Sequence, residues 1–245
     1  MSTELSGLVS LVTGATRGIG REVAKQLAEL GSTVVLTGRD EAAVQQAADE
    51  LVAYGTVTTL EVPLDMSDGA SIAAAVVALT STIGRLDILV NNAVAPIDAD
   101  ELASSADLRR VETVLHTNVI GPWALIQATL PLLRRSGHAR IVNVSSGAGS
   151  HGDPQFGLAV AGGGAAGYVV SKAALNALTS ALAAELADTP ILVNAVCPGS
   201  TASHGEPGPG QRSVAVGAAS VVWAATLPAD GPSGGLYRDG RPLPW

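Results

Sequence analysis

Short runs of Val, Ile and Leu punctuate this chain, separated by longer stretches of apolar and polar residues at helical spacing. A continuous branched-aliphatic run bounded by turn residues reads as a strand covered on both faces. Leu8 to Thr13, Thr33 to Thr37, Val57 to Leu64, Leu86 to Val90, Arg140 to Val144 and Ile191 to Val196 are such runs. The patterns between them predict helices over Ile19 to Leu30, about Asp40 to Tyr54, and Ser71 to Ile83, with further long helical stretches beyond Val90 and Val144. Strand alternating with helix predicts an α/β fold, a parallel sheet with helices on both faces. Ala159 to Gly167, rich in Ala and Gly, predicts a loop. No linker-like shift in composition divides the chain, so residues 1–245 read as a single domain.

The first strand runs into Thr13-Gly14-Ala15-Thr16-Arg17-Gly18-Ile19-Gly20, which opens the first helix. Gly14 permits a tight bend, Gly18 lets backbone N–H groups approach a pyrophosphate, and Gly20 allows close helix packing. Elsewhere three glycines are only a turn; between the first strand and first helix of such a chain they point to a dinucleotide. The second strand ends Leu36-Thr37-Gly38-Arg39. An acid there would hold a ribose diol, whereas Gly38 with Arg39 suits the 2′-phosphate of NADPH. Arg17 is a second cation in reach of that place. Asp40 either faces the ribose or caps the next helix, and the cap is its expected task.

Tyr168 and Lys172 stand four residues apart in Tyr-Val-Val-Ser-Lys, on one face of a predicted helix. A cation beside a phenol favours the phenolate and eases proton exchange with a carbonyl or alcohol oxygen. By itself such a pair is more often a solvated surface contact.

Composition narrows the field. The net charge of −8, spread along the chain, argues against a nucleic-acid partner. Hydrophobic residues make up 47% but come in short runs, so no membrane span is predicted. Met1 to Gly7 lacks a basic leader, and the lone cysteine, Cys197, fits a reducing cytoplasm. Cys197 is either a nucleophile or a buried structural thiol, and its place at the end of an apolar run favours the second. His116, His138, His151 and His204 lack metal-ligand spacing, so no metal is expected. His151 or His204 either touches substrate or lies exposed in a loop, the plainer reading.

Taken in order, Thr13-Gly14-x-x-x-Gly18-x-Gly20, Asn91-Asn92-Ala93, Asn118, Ser146, Tyr168, Lys172 and Pro198-Gly199 resemble the short-chain dehydrogenase/reductase family over essentially the whole chain. Arg17 and Arg39 resemble its NADPH-preferring members. The insertion before Tyr168 and the ending Asp239 to Trp245 resemble carbonyl reductases. The resemblance implies a doubly wound Rossmann fold with a seven-stranded, mostly parallel sheet in the order three-two-one-four-five-six-seven. It implies hydride transfer between NADPH (or NADP+ in reverse) and a ketone or aldehyde. Tyr168 would be the proton donor, Lys172 would lower its pKa and hold the nicotinamide ribose, and Ser146 would hydrogen-bond the substrate oxygen. Asn118 would hold a water linking Lys172 to solvent. The implied cofactor contacts are Gly14, Thr16, Arg17, Gly18, Ile19, Gly20, Arg39, Leu64, Asp65, Asn91, Ala93, Tyr168, Lys172, Pro198, Gly199, Thr201 and Ser203. Asn92 would be structural.

The match departs from the family in three places. Val94 stands where the family carries Gly, which is tolerable if its φ is negative. Ser145 and Ser146 are adjacent, and only one can face the substrate because neighbours at a strand end point opposite ways; alignment favours Ser146. The segment from His151 to Gly167 is long, with Phe156, Leu158 and Val160 as an apolar rim, while Ser203 to Gln211 is too rich in Gly and Pro for a helical lid. These lengths predict an open mouth for a bulky, apolar ketone, and a monomer or homodimer rather than a tetramer. Two alternatives stand beside the reductase: a non-catalytic NADPH sensor, which would not need a proton relay, and an enoyl reductase, whose relatives space Tyr and Lys more widely.

Overall fold

The computed structural model describes residues 5–60, 62–158, 160, 162–202 and 206–245. In chain order the elements are β1 (Val9–Thr13), α1 (Gly18–Glu29), β2 (Thr33–Thr37), α2 (Glu41–Leu51), β3 (Val57–Thr59), α3 (Gly69–Thr82) and β4 (Ile88–Asn91). Then come α4 (Leu108–Leu115), α5 (Gly121–Leu133), β5 (Arg140–Val144), α6 (Ala166–Glu185), β6 (Leu192–Val196), α7 (Val214–Ala225), β7 (Leu236–Arg238) and β8 (Arg241–Leu243). The strands form one sheet in the order β3-β2-β1-β4-β5-β6-β7-β8, parallel except for the last pair.

Strand residues alternate between the faces. Val34 and Leu36 of β2 pack with Val23, Leu27, Val44 and Val221 from α1, α2 and α7. Val35 turns the other way, toward Leu79, Leu125, Leu132 and Leu175 from α3, α5 and α6. Each such fully buried side chain contributes roughly 2 kcal/mol by leaving water. Because both faces are covered, the strands are continuous apolar runs and their helices are apolar on the inner side. β1 lies between β2 and β4. The connections after these strands therefore leave to opposite faces and open a crevice beyond their carboxyl ends. No helix among the described residues is long and apolar enough to cross a membrane.

Three features differ from expectation. The sheet has eight strands among the described residues, not seven. Asp239 and Gly240 both take left-handed backbone, φ 54° and 71°, and fold the tail back as β8 with Arg238 opposite Arg241. An Asp-Gly pair in that conformation makes the tight turn that matches strand twist. β3 stops at Thr59 rather than Leu64, and past it Leu64 N–H donates at 2.9 Å to the carbonyl of Gly38, just after β2. Finally, α4 and α5 are joined by one π-helical turn, His116–Ile120, instead of running on as regular helix. Gly121 follows it against the Met66 carbonyl, where a Cβ has no room.

Candidate active site

The crevice has a volume of about 770 Å³ and begins at the glycine turn. Gly14 and Gly18 have φ of 63° and 54°, which a side chain would resist. A Cβ on Gly14 would lie 2.9 Å from Ala93 Cα, and one on Gly20 would strike Asn92. Asn92 donates to the carbonyls of Thr13 and Gly14 at 2.9 and 3.1 Å, so its amide is structural. Thr13 Oγ1 accepts from Asn92 N and Ala93 N, both at 3.0 Å, tying β1 to the end of β4. The N-cap residue of α1, Arg17, makes no side-chain cap hydrogen bond, so the first-turn N–H groups of α1 can point at an anion. Thr16, Arg17, Gly18, Ile19 and Gly20 line this end.

Arg39 is exposed at the tip of β2 and lines the crevice with Leu64 and Asp65. Asp65 accepts from the hydroxyl and backbone N–H of Ser67 at 2.7 and 2.8 Å. Those bonds, with Arg39 nearby, hold its carboxyl below the usual range. Asp40 accepts from Ala43 N at 3.1 Å and caps α2. A Cβ on Gly38 would meet Val44 and Thr16 side chains at 3.0 and 3.2 Å, so the structure leaves an acid there little space.

At the other end α6 presents Tyr168 and Lys172. Lys172 is buried, donates to the Val144 carbonyl at 2.7 Å, and has its ammonium 5.6 Å from the centre of the Tyr168 ring. Burial lowers the Lys172 pKa to about 8. Burial also raises that of Tyr168, while a hydrogen bond with Ser146 works the other way. The expected lowering of the phenol by Lys172 is therefore not what this arrangement shows. Desolvation prevails, and the ammonium is directed at a carbonyl.

The two serines separate as strand geometry requires. Ser145 is buried, donating to Asn176 Oδ1 at 2.5 Å and to the Lys172 carbonyl at 3.4 Å. Ser146 is partly exposed on the crevice, where its hydroxyl accepts from Ala148 N at 3.1 Å. Asn118 is fully buried in the π-helical turn and does not line the crevice. Its amide accepts from Ala95 N and donates to Ser171 Oγ, both at 2.9 Å, and Ser171 in turn donates to the Tyr168 carbonyl at 2.6 Å. Asn91 is not brought to the crevice either. Its amide donates to Asn143 Oδ1 at 2.9 Å, inside the sheet, because it points opposite to Asn92. Ala93, Pro198, Gly199 and Thr201 do line it, with Gly199 at φ 75° and the Thr201 hydroxyl shared by the Pro198 and Gly199 carbonyls. Ser203 and His204 lie outside the described residues.

Sequence reasoning did not place Cys197 here, yet this buried thiol forms part of the wall. It also passed over Ile97, which lines the mouth with Val94, Phe156 and Val160. Among the described residues the left-handed non-glycines are Ala165 and Asp239, so Val94 sits in ordinary backbone. His151 is exposed and away from the crevice. No helix forms over the described residues 206–212.

The profile of the short chain dehydrogenase family matches residues 8–207. The chain is 38% identical over 199 residues to the 3-oxoacyl-acyl-carrier-protein reductase FabG of Aquifex aeolicus, covering 81% of this chain and 76% of that one. It is 39% identical over 199 residues to the rhamnolipids biosynthesis 3-oxoacyl-acyl-carrier-protein reductase of Pseudomonas aeruginosa, covering 80% and 73%. Among solved structures, the Pseudomonas aeruginosa RhlG/NADP active-site complex superposes with TM-score 0.81 at 31% identity, covering 97% of this chain and 96% of that one. The NADPH-bound carbonyl reductase from chicken fatty liver gives 0.83 at 29% identity, covering 98% and 100%.

Proposed function

The chain belongs to the short-chain dehydrogenase/reductase family of oxidoreductases, and from that premise we propose that it reduces a ketone or aldehyde carbonyl with NADPH, reversibly. The observation that carries this reading is the convergence of Ser146, Tyr168 and Lys172 in the crevice that starts at the N-terminal end of α1.

The residues present suit NADPH. The α1 N-terminus and glycine turn offer backbone donors to a pyrophosphate, and Arg39 offers a planar cation to a 2′-phosphate. The tight space at Gly38 leaves no acid to repel that phosphate. NADP-bound neighbours at about this identity support the same assignment. When bound, NADPH supplies the hydride. The protein supplies the rest. Burial keeps the Tyr168 phenol protonated at neutral pH, ready to donate to the substrate oxygen. Ser146 offers a second hydroxyl to the same oxygen, and two donors aimed at growing negative charge stabilise the transition state. Lys172 steadies the phenolate that results. The Asn118 amide is already engaged by Ala95 and Ser171, so any water it holds for Lys172 would be held by its main chain.

The relatives named as 3-oxoacyl and carbonyl reductases favour C=O over C=C as the bond reduced. The apolar mouth of Val94, Ile97, Phe156 and Val160 favours a bulky, apolar ketone. The test follows NADPH absorbance with a panel of small, bulky and thioester-borne ketones. Turnover of bulky apolar ketones is expected; no turnover of any ketone would overturn the proposal.

A further inference from the structure

Two consecutive residues of the β7–β8 hairpin, Arg238 and Asp239, are tied to two segments that line the crevice, one carrying Phe156 and the other Thr201. On one side the Arg238 guanidinium pairs with the buried Asp153 carboxylate. It also donates to Gln155 Oε1 at 3.4 Å and to Cys197 Sγ at 3.4 and 3.3 Å. Its central carbon lies 4.9 Å from the centre of the Phe156 ring, a cation–π contact. The other Asp153 oxygen accepts from Gln155 N and Phe156 N at 2.8 and 3.3 Å. Phe156 is thus held by its main chain and by its ring, and both holds lead to one guanidinium. On the other side Asp239 grips Arg212 through two bonds of 2.8 and 2.6 Å. Arg212 donates to the Pro198 carbonyl at 3.1 Å, and its backbone N–H donates to Ser200 O at 2.7 Å. That segment carries Thr201. The hairpin itself is anchored to α7 by Asp239 N–H to Ser220 Oγ at 2.8 Å.

The two-bond Arg212–Asp239 fork fixes direction as well as distance. Arg238 instead spreads its guanidinium over Asp153, Gln155, Cys197 and the Phe156 ring, which the point charge of a lysine cannot reproduce, and removing it leaves the buried Asp153 carboxylate without its partner. We infer that Arg238 and Asp239 are the positioning residues that fix two segments of the substrate crevice: Arg238 holds Phe156 as a platform for the apolar part of a bulky ketone, and Asp239, through Arg212, holds residues 198–202. The inference rests on the carbonyl-reductase reading for its substrate but not for its geometry. Neither residue reaches the reacting atoms. Their effect is on how tightly a large substrate is gripped and oriented, more than on proton donation.

The test uses the full chain with Arg238→Lys, Arg238→Met and Asp239→Asn, each checked for a cooperative melt. Should Arg238→Met fail to fold, the double variant Asp153→Asn, Arg238→Met removes both buried charges and takes its place. Amide hydrogen exchange is expected to speed up at Gln155 and Phe156 in the Arg238 variants, and over residues 199–202 in Asp239→Asn. The ratio of kcat/KM for a bulky aryl ketone to that for a small aliphatic ketone should fall about tenfold in the Arg238 variants, mainly through KM, as expected for loss of an apolar contact. Arg238→Lys should resemble Arg238→Met rather than the parent. Unchanged exchange at residues 155–156 and 199–202, or equal losses on both ketones, would overturn the inference. A parent enzyme that turns over no ketone refutes the proposed function instead, while the exchange experiment still decides the positioning role.

Discussion

Adjacent serines with different partners allow a test in which catalysis and stability should part company. Ser145 is buried with its hydroxyl on Asn176 Oδ1 and the Lys172 carbonyl. Ser145→Ala removes the donor and leaves a buried amide oxygen unpaired, which costs about 2 kcal/mol. For a chain of this size that lowers Tm by roughly 4–8 °C. The crevice keeps Ser146, Tyr168 and Lys172, so turnover should stay within about threefold of the parent, an allowance of ~0.7 kcal/mol for small shifts in Lys172. Ser146 differs. Its hydroxyl caps a short turn by accepting from Ala148 N and also bonds toward Tyr168. Ser146→Ala loses that cap, about 1 kcal/mol and roughly 2–4 °C. It also loses a donor to the developing oxyanion, worth about 10²–10³ in kcat. Differential scanning calorimetry and initial rates of NADPH consumption on both variants give the four numbers. If Ser145→Ala proves the inactive one, or Ser146→Ala keeps parental turnover, the assignment of the substrate-facing hydroxyl is wrong.

Tyr168→Phe should bind NADPH as the parent does while turnover falls about 10²–10⁴-fold, read by fluorescence titration and initial rates; parental turnover would remove Tyr168 as proton donor. Arg39→Ala should reduce the preference for NADPH over NADH by roughly tenfold or more in kcat/KM, the loss of one charge-assisted contact, whereas Gly38→Asp should also lower Tm because its Cβ crowds Val44 and Thr16. His138 has its pKa lowered by burial and by Arg140, whose guanidinium lies 3.2 Å from Nδ1. The unfolded chain therefore binds a proton that the folded one resists, and stability should drop as pH falls from about 6.5 toward the lower folded value; His138→Gln should flatten Tm against pH in that window. Light scattering should find a monomer or dimer, and a clear tetramer would reject the oligomer expected from the lengthened loop before Tyr168.

Local patterning determined much of this protein. Arg140–Val144 and Thr33–Thr37 are strands at the residues their aliphatic runs predict, because a strand buried on both faces writes its boundaries into composition. The glycine turn was equally legible, since φ values at Gly14 and Gly18 and the contact of Gly20 with Asn92 each exclude a side chain. Tyr168 and Lys172 share a helix face at a spacing that geometry alone sets. What stayed hidden depends on partners far away in the chain. Alternation said that one of Ser145 and Ser146 faces the substrate, but Asn176 on α6 decides which one turns inward. The π-helical turn accompanies Asn118 reaching both Ala95 and Ser171, a constraint absent from the sequence around residue 118. β8 needs β7 to pair with, so a three-residue run of Arg, Pro and Leu carries no strand signal until the Asp239–Gly240 turn brings it home. The Tyr168 pKa goes up rather than down because it is set by how much water the surrounding walls exclude. A sequence records which residues favour helix, strand or turn. Direction, burial and charge environment are properties of surfaces that meet only when distant segments fold together.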